Sequence, residues 1–205
     1  IMSMNLIKLI SEEKIYPIIR CKDASKAEDV ANALIEGGIK VLEINIENPS
    51  LYEVIEKISP KATVCAGSII TKLQANQAFK SGAKLFSSPI FQMNMVKISK
   101  NIGVPFIAGT STANEAYTAW KSRIPLIKLY PVTAMGGVQY FEELTRQMPF
   151  LNLMPMGNIK LQEVKDYIKC GAAAVGVGRD FYETLSLTEI TNKAKNTLEE
   201  LKELS

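Results

Sequence analysis

Val41-Leu42-Glu43-Ile44-Asn45-Ile46-Glu47 alternates without a break, with Leu42, Ile44 and Ile46 on one side of an extended chain and Glu43, Asn45 and Glu47 on the other. Such a strand suits the wall of a barrel, where the apolar set packs on surrounding helices and the polar set faces the interior. Residues 26–37 precede it with Ala27, Val30, Ala31 and Leu34 on one helical face, and short apolar runs go on alternating with helical periods to the end of the chain. Strands are predicted at 16–20, 41–47, 63–69, 85–90, 105–110, 126–130, 152–156 and 173–178. Helices are predicted between them, for example over 74–82, and a closing one over 187–204 carries Ile190, Ala194, Leu198 and Leu201 as its stripe. Eight βα units in 205 residues describe an α/β fold, a compact (β/α)8 TIM barrel forming a single domain over 1–205. Residues 5–14 add an extra N-terminal helix, placed to cover the barrel bottom. A doubly wound open sheet also alternates strand and helix, but it fits less well with eight units and no Gly-rich fingerprint after the first strand.

The same rule applied to Leu126-Ile127-Lys128-Leu129-Tyr130, closed by Pro125 and Pro131, turns Leu126, Lys128 and Tyr130 inward. An ammonium inside an apolar strand is costly unless it is paired or loses its proton. A desolvated, partly neutral lysine attacks carbonyls, which makes Lys128 a candidate nucleophile. The structural alternatives are an internal ion pair and a lysine snorkelling out at the strand end. Side-chain layers in a barrel draw on alternate strands, so Glu43 of the second strand and Lys128 of the sixth are expected neighbours.

Composition narrows the chemistry. The chain has no histidine, which removes Ser-His-Asp and Cys-His nucleophiles, histidine-ligated metals and imidazole bases. Three well-separated cysteines, Cys21, Cys65 and Cys170, suit reduced core thiols rather than a disulfide framework or a metal cluster. A net charge of +3, with lysines scattered among glutamates, offers no basic stripe for nucleic acid. No apolar run approaches a membrane span and no cleavable apolar segment opens the chain, so a cytoplasmic protein is expected. Tyr117 and Trp120 are expected to pack as a helix face on the barrel, and Phe91, Met93, Met95 and Val96 to belong to the core.

Two glycine-bearing loops follow the last strands: Pro155-Met156-Gly157-Asn158-Ile159 and Gly176-Val177-Gly178-Arg179. Loops in these places can hold phosphate through backbone N–H groups, which makes Gly157, Asn158, Gly178 and Arg179 candidate substrate contacts; simple chain turning is the other reading.

Taken in order, these elements resemble the aldolase family that cleaves 2-keto-3-deoxy-6-phosphogluconate and 4-hydroxy-2-oxoglutarate. Pro17-Ile18-Ile19-Arg20 resembles its first strand, and Gly37-Gly38-Ile39-Lys40-Val41-Leu42-Glu43 its second. Cys65-Ala66-Gly67-Ser68 stands at its Gly-Ala-Gly-Thr motif, Ser88-Pro89 at its Ser-Pro step, and Gly109-Thr110-Ser111-Thr112-Ala113-Asn114-Glu115 after its fifth strand. Lys128 with Tyr130-Pro131 and Gly136-Gly137 resembles its Schiff-base strand. The resemblance implies a class I lyase without metal or organic cofactor, with Lys128 forming an imine with a 2-oxo group and Glu43 shuttling protons. It further implies substrate contacts at Arg20, Ser68, Pro89 and Thr110, a small 2-oxo acid or phosphorylated sugar acid as ligand, and a homotrimer. Arg20 is expected as the cation that helps Lys128 shed its proton, with ionised Glu43 acting the other way.

Several positions depart from the family pattern. Glu47 stands where the family places an arginine for the substrate carboxylate, so repulsion is expected there. Ile90 adds bulk after Ser88-Pro89, Ser68 replaces threonine, Met156-Gly157-Asn158 replaces Thr-Gly-Gly, and Arg179 replaces a serine. Arg179 is expected either to bind phosphate or to pair with a neighbour such as Asp180. An isomerase or epimerase using Glu43 as base and Lys128 for charge alone, and a non-catalytic phospho-metabolite binder, remain the alternative readings.

Overall fold

The computed structural model describes residues 2–204, so residues 1 and 205 of the expected domain lie outside the described residues. Its strands are β1 (Ile15–Ile19), β2 (Val41–Asn45), β3 (Thr63–Gly67), β4 (Leu85–Ser87), β5 (Phe106–Thr110), β6 (Ile127–Leu129), β7 (Leu153–Pro155) and β8 (Val175–Val177). The helices are α1 (Met2–Glu13), α2 (Ala24–Glu36), α3 (Leu51–Ile58), α4 (Lys72–Lys80), α5 (Met93–Ile102), α6 (Ala113–Lys121), α7 (Val132–Met135), α8 (Gly137–Gln147), α9 (Val164–Lys169) and α10 (Leu187–Lys202). All eight strands pair in parallel, in the order β7-β6-β5-β4-β3-β2-β1-β8. A parallel bridge between Met156 and Gly176 joins β7 to β8 and closes the (β/α)8 barrel.

Helix starts fall where a side chain can satisfy free N–H groups. Thr71 and Gln74 form a reciprocal capping box, which starts α4 at Lys72 rather than at the predicted 74. Asp23 caps α2 from one side only, its carboxylate accepting the Lys26 N–H at 3.1 Å, and moves the helix start ahead of residue 26. Most strands are trimmed at their ends relative to the sequence reading, most at β4 and β8, which end at Ser87 and begin at Val175.

Two apolar layers form. Ile19, Leu42, Ile44, Val64, Phe86, Ile127 and Leu129 face outward against buried helix residues such as Ala27, Val30 and Leu34. Each such fully buried aliphatic side chain contributes about 1.5–3 kcal/mol. Inside the barrel Tyr16, Val41, Cys65, Leu85, Ile107, Leu126 and Met154 form a floor, onto which α1 presses Ile7 and Ile10. α1 is thus a plug in the N-terminal mouth, fixed by Glu13, whose carboxylate accepts the Lys40 N–H at 2.9 Å and the Val41 N–H at 3.3 Å.

Two expectations about apolar surface need correction. Tyr117 and Trp120 are not packed on the barrel; Ala116 and Ala119 fill that face of α6, while the two exposed rings stack on each other and Trp120 leans on Phe150. Met95 and Val96 are core, but Met93 is exposed and Phe91 only partly buried. Among the described residues no helix is long and apolar enough to cross a membrane.

Candidate active site

A cavity of about 540 Å³ opens at the C-terminal ends of the strands. Of the residues singled out from sequence, Arg20, Glu43, Ser68, Pro89, Lys128, Gly157, Asn158, Gly178 and Arg179 all line it.

At its base Lys128 Nζ lies 3.8 Å from Glu43 Oε1, across the barrel from β6 to β2. Glu43 is fully buried and Lys128 is 6% exposed. The ammonium also donates to Ser87 Oγ at 3.3 Å and sits 5.6 Å from the Tyr130 ring centre. Both charges therefore keep partners where solvation is poor, the condition for tolerating a buried pair. Glu43 Oε2 accepts a hydrogen bond from Tyr16 Oη at 3.1 Å. With its amide oriented to satisfy its neighbours, Asn45 donates to Glu43 Oε1 at 2.9 Å and accepts from Arg20 Nε at 3.2 Å. Burial pushes the Tyr16 hydroxyl and the Cys65 thiol well above their ordinary pKa values, and the Glu43 charge acts in the same direction. Both groups stay neutral donors.

Close approach, of side chains in one case and of backbone in the other, explains two glycines. A Cβ on Gly67 would stand 2.1 Å from the Asn45 amide and 2.3 Å from Glu43 Oε1, so only glycine leaves the carboxylate its place. A Cβ on Gly109 would meet the Pro89 carbonyl at 2.2 Å, which is how the Ser88-Pro89 backbone can cross β5.

Four calls change. Thr110 does not line the cavity: Gly109 takes the inward position, and Thr110 Oγ1 donates to the Lys128 carbonyl at 3.0 Å, bracing β5 to β6. Glu47 lies beyond the end of β2, outside the cavity lining, and its carboxylate faces Arg20 Nε at 3.6 Å. Arg20 is accordingly a compensated, half-exposed cation rather than a free charge bearing on Lys128. Ile90 is 48% exposed and does not line the cavity either.

The far end of the cavity is rimmed by the two glycine-bearing loops, with Gly157 and Asn158 in left-handed conformations at φ 115° and 58°. Arg179 pairs with Glu183 at 3.9 Å, not with Asp180, whose carboxylate faces Lys160 at 3.3 Å and accepts the Leu161 N–H at 2.9 Å. Burial alone would raise the Asp180 carboxyl, but the Leu161 N–H, Lys160 and Lys193 outweigh it and hold it below its ordinary value.

Sequence reasoning missed Tyr16, Ser87, Lys160 and Tyr182. Tyr182 Oη accepts from the Arg20 N–H at 3.0 Å and donates to the Arg20 carbonyl at 3.2 Å, tying the β8 loop to the rim of β1. Among the described residues no group of three or more histidine, cysteine or acidic side chains is placed to hold a metal ion.

Comparison with known proteins extends over nearly the whole chain. The model of the KDPG and KHG aldolase family matches residues 6–197. A 2-dehydro-3-deoxy-phosphogluconate aldolase of Treponema pallidum is 27% identical over 203 residues, covering 92% of this chain and 96% of that protein. The 2-keto-3-deoxy-6-phosphogluconate aldolase of Zymomonas mobilis, crystallised with 3-phosphoglycerate, superposes with a TM-score of 0.83 at 21% identity, covering 95% of this chain and 94% of that one. A KDPG aldolase of Legionella pneumophila, captured with pyruvate as a covalent carbinolamine, gives a TM-score of 0.83 at 23% identity, covering 92% and 96%. The barrel is shared with these structures, and the match of the family model over residues 6–197 carries the assignment: the chain belongs to the KDPG and KHG aldolase family.

Proposed function

We propose that this protein is a class I aldolase that cleaves a 2-keto-3-deoxy-6-phospho-sugar acid or 4-hydroxy-2-oxoglutarate to a 2-oxo acid and an aldehyde. The observation that carries the reading is the buried Lys128, 3.8 Å from Glu43 Oε1 at the base of an open cavity, in a member of this family. The isomerase reading uses Lys128 only for its charge, and family membership favours the imine instead.

Glu43 is the base placed to take the proton that the Lys128 ammonium must lose before it can attack. The free amine adds to C2 of the substrate and gives a carbinolamine. Glu43, now protonated, returns the proton to the departing hydroxyl, and water leaves as the protonated imine forms. Glu43 then takes the proton of the C4 hydroxyl. The C3–C4 bond breaks, its electron pair enters the iminium to give an enamine, and the aldehyde departs. Protonation at C3 and hydrolysis of the imine release the 2-oxo acid and restore Lys128. The Ser87 hydroxyl and the Tyr130 ring keep Nζ aimed across the barrel during these steps. In this reading Ser68 and Pro89, which line the cavity, take the carboxylate, and the Gly157-Asn158 and Gly178-Arg179 loops, which also line it, take the phosphate.

The reading extends to a homotrimer in the cytoplasm. Exposed apolar side chains at Ile70, Leu73, Phe79, Ile90 and Met93, on and around α4 and α5, support assembly, and the free thiols of Cys21, Cys65 and Cys170 suit a reducing compartment. Light scattering tests the assembly. The test of the activity is intact-protein mass after borohydride reduction with pyruvate and related 2-oxo acids. An adduct on the wild type that is lost in Lys128→Ala is expected; no adduct with any 2-oxo acid overturns the reading.

A further inference from the structure

The two oxygens of Glu43 are not equivalent. Oε1 faces Lys128 and the Asn45 amide, whereas Oε2 points down into the barrel floor and accepts from Tyr16. Tyr16 is itself fully buried and lies one inward position below Ile18, the β1 side chain that reaches the cavity. It therefore touches no substrate.

We propose that Tyr16 is a positioning residue for the reaction: its hydroxyl fixes Oε2, sets the carboxylate plane, and leaves Oε1 as the oxygen that exchanges protons with Lys128 and substrate. The proposal rests on the aldolase reading.

The surroundings of Glu43 support it. The titratable and charged groups around Glu43 are Tyr16 on β1, Cys65 on β3 and Lys128 on β6, with Arg20 acting through Asn45. Neither Tyr16 nor Cys65 ionises in the working range, because burial and the Glu43 charge both oppose it. Tyr16 is thus a permanent O–H donor to the buried Glu43 carboxylate. The space for this arrangement is kept by Gly67, whose missing side chain would otherwise displace Oε1. Without the hydroxyl, Oε2 would be buried with no donor.

Tyr16→Phe removes the hydroxyl and keeps the ring. Two quantities decide the matter: the Glu43 carboxyl titration, followed by carbon-13 NMR with Glu43→Gln as the assignment control, and the pH profile of turnover. Both should move to higher pH by about one unit, the effect of one hydrogen bond to a buried charge. Loss of kcat of roughly ten-fold with KM held within two-fold should accompany the shift. Should Tyr16→Phe fail to fold, 3-fluorotyrosine at position 16 keeps the shape and strengthens the donor, and the titration should then move to lower pH. An unmoved Glu43 titration in either variant overturns the proposal. Absence of any borohydride adduct on the wild type sinks the aldolase reading instead, while the titration still reports whether Tyr16 holds Glu43.

Discussion

Arg20 Nε and Glu47 Oε1 stand 3.6 Å apart at the barrel rim, just past the ends of the paired strands β1 and β2. Sequence periodicity turns Glu47 inward, where it would repel a substrate carboxylate, but β2 ends at Asn45 and the side chain swings to its neighbour instead. The pattern repeats around the cavity. Lys128 faces Glu43, Lys160 faces Asp180, and Arg179 faces Glu183, so each of the four lining cations has a carboxylate partner. An anionic substrate must compete with these carboxylates, and half-exposed pairs yield easily, being worth about 0–1 kcal/mol.

Glu47→Gln should therefore free Arg20 for a substrate anion. KM for a 2-oxo acid substrate is expected to fall about three- to five-fold with kcat unchanged, the equivalent of about 1 kcal/mol at most. High ionic strength should erase much of the gain. Initial rates at low and high salt check this, and an unchanged KM at low salt would show that Arg20 does not reach the substrate.

The buried pair behaves differently from the rim pairs. Lys128→Met strands the Glu43 charge, and breaking a buried pair from one side costs about 3–5 kcal/mol. The Tyr16 and Asn45 donors place the expected loss at the lower end of that range. Glu43→Gln combined with Lys128→Met should lose less than the sum of the two single changes. Urea unfolding of the four proteins measures the coupling; strict additivity would mean that the two groups do not interact.

The Glu43–Lys128 pairing was legible because alternation in β2 and β6 puts single polar residues on an inward face, and barrel layering brings those faces together. Tyr16 was not. It lies in Ile15-Tyr16-Pro17-Ile18-Ile19, apolar on both faces, where no periodicity marks an inward residue. Thr110 was expected at the site only through the family resemblance, not through periodicity in β5: Gly109 occupies the inward slot, and Thr110 is a brace to β6. Ion-pair choice at the rim was equally hidden, since Arg179 had acidic residues both adjacent and one helical turn away, and only the turn after β8 selects Glu183.

Gly67→Ala should be far more harmful to activity than its size suggests. The new Cβ would stand within 2.3 Å of Glu43 Oε1 and closer still to Asn45, so the carboxylate must leave its place opposite Lys128. Overpacking of this kind costs about 1–3 kcal/mol of stability. Turnover should fall about 100-fold, because a misplacement of roughly 1 Å at a reacting group has that effect. Steady-state kinetics beside a urea curve separate the two, and near-normal kcat would show that Glu43 tolerates the shift.

Glu13 gives stability a pH dependence that has nothing to do with catalysis. Burial raises its carboxyl to about 6 against an ordinary 4.5, although the Lys40 and Val41 N–H groups pull the other way. The folded protein thus binds this proton more tightly than the unfolded chain does, and the contribution of Glu13 to stability is lost as pH rises from 4.5 through 6, by about 2 kcal/mol. Glu115, Asp180 and Glu189 are shifted downward, so their effects have the opposite sign and fall at lower pH. Glu13→Gln keeps an oxygen for one of the two N–H groups and removes the titration. The stability of the wild type relative to this variant should decline between pH 4.5 and 6 and level off above. Urea unfolding across that range measures the difference; parallel curves would mean that the α1 plug is held by Ile7 and Ile10 packing, with no proton linkage at Glu13.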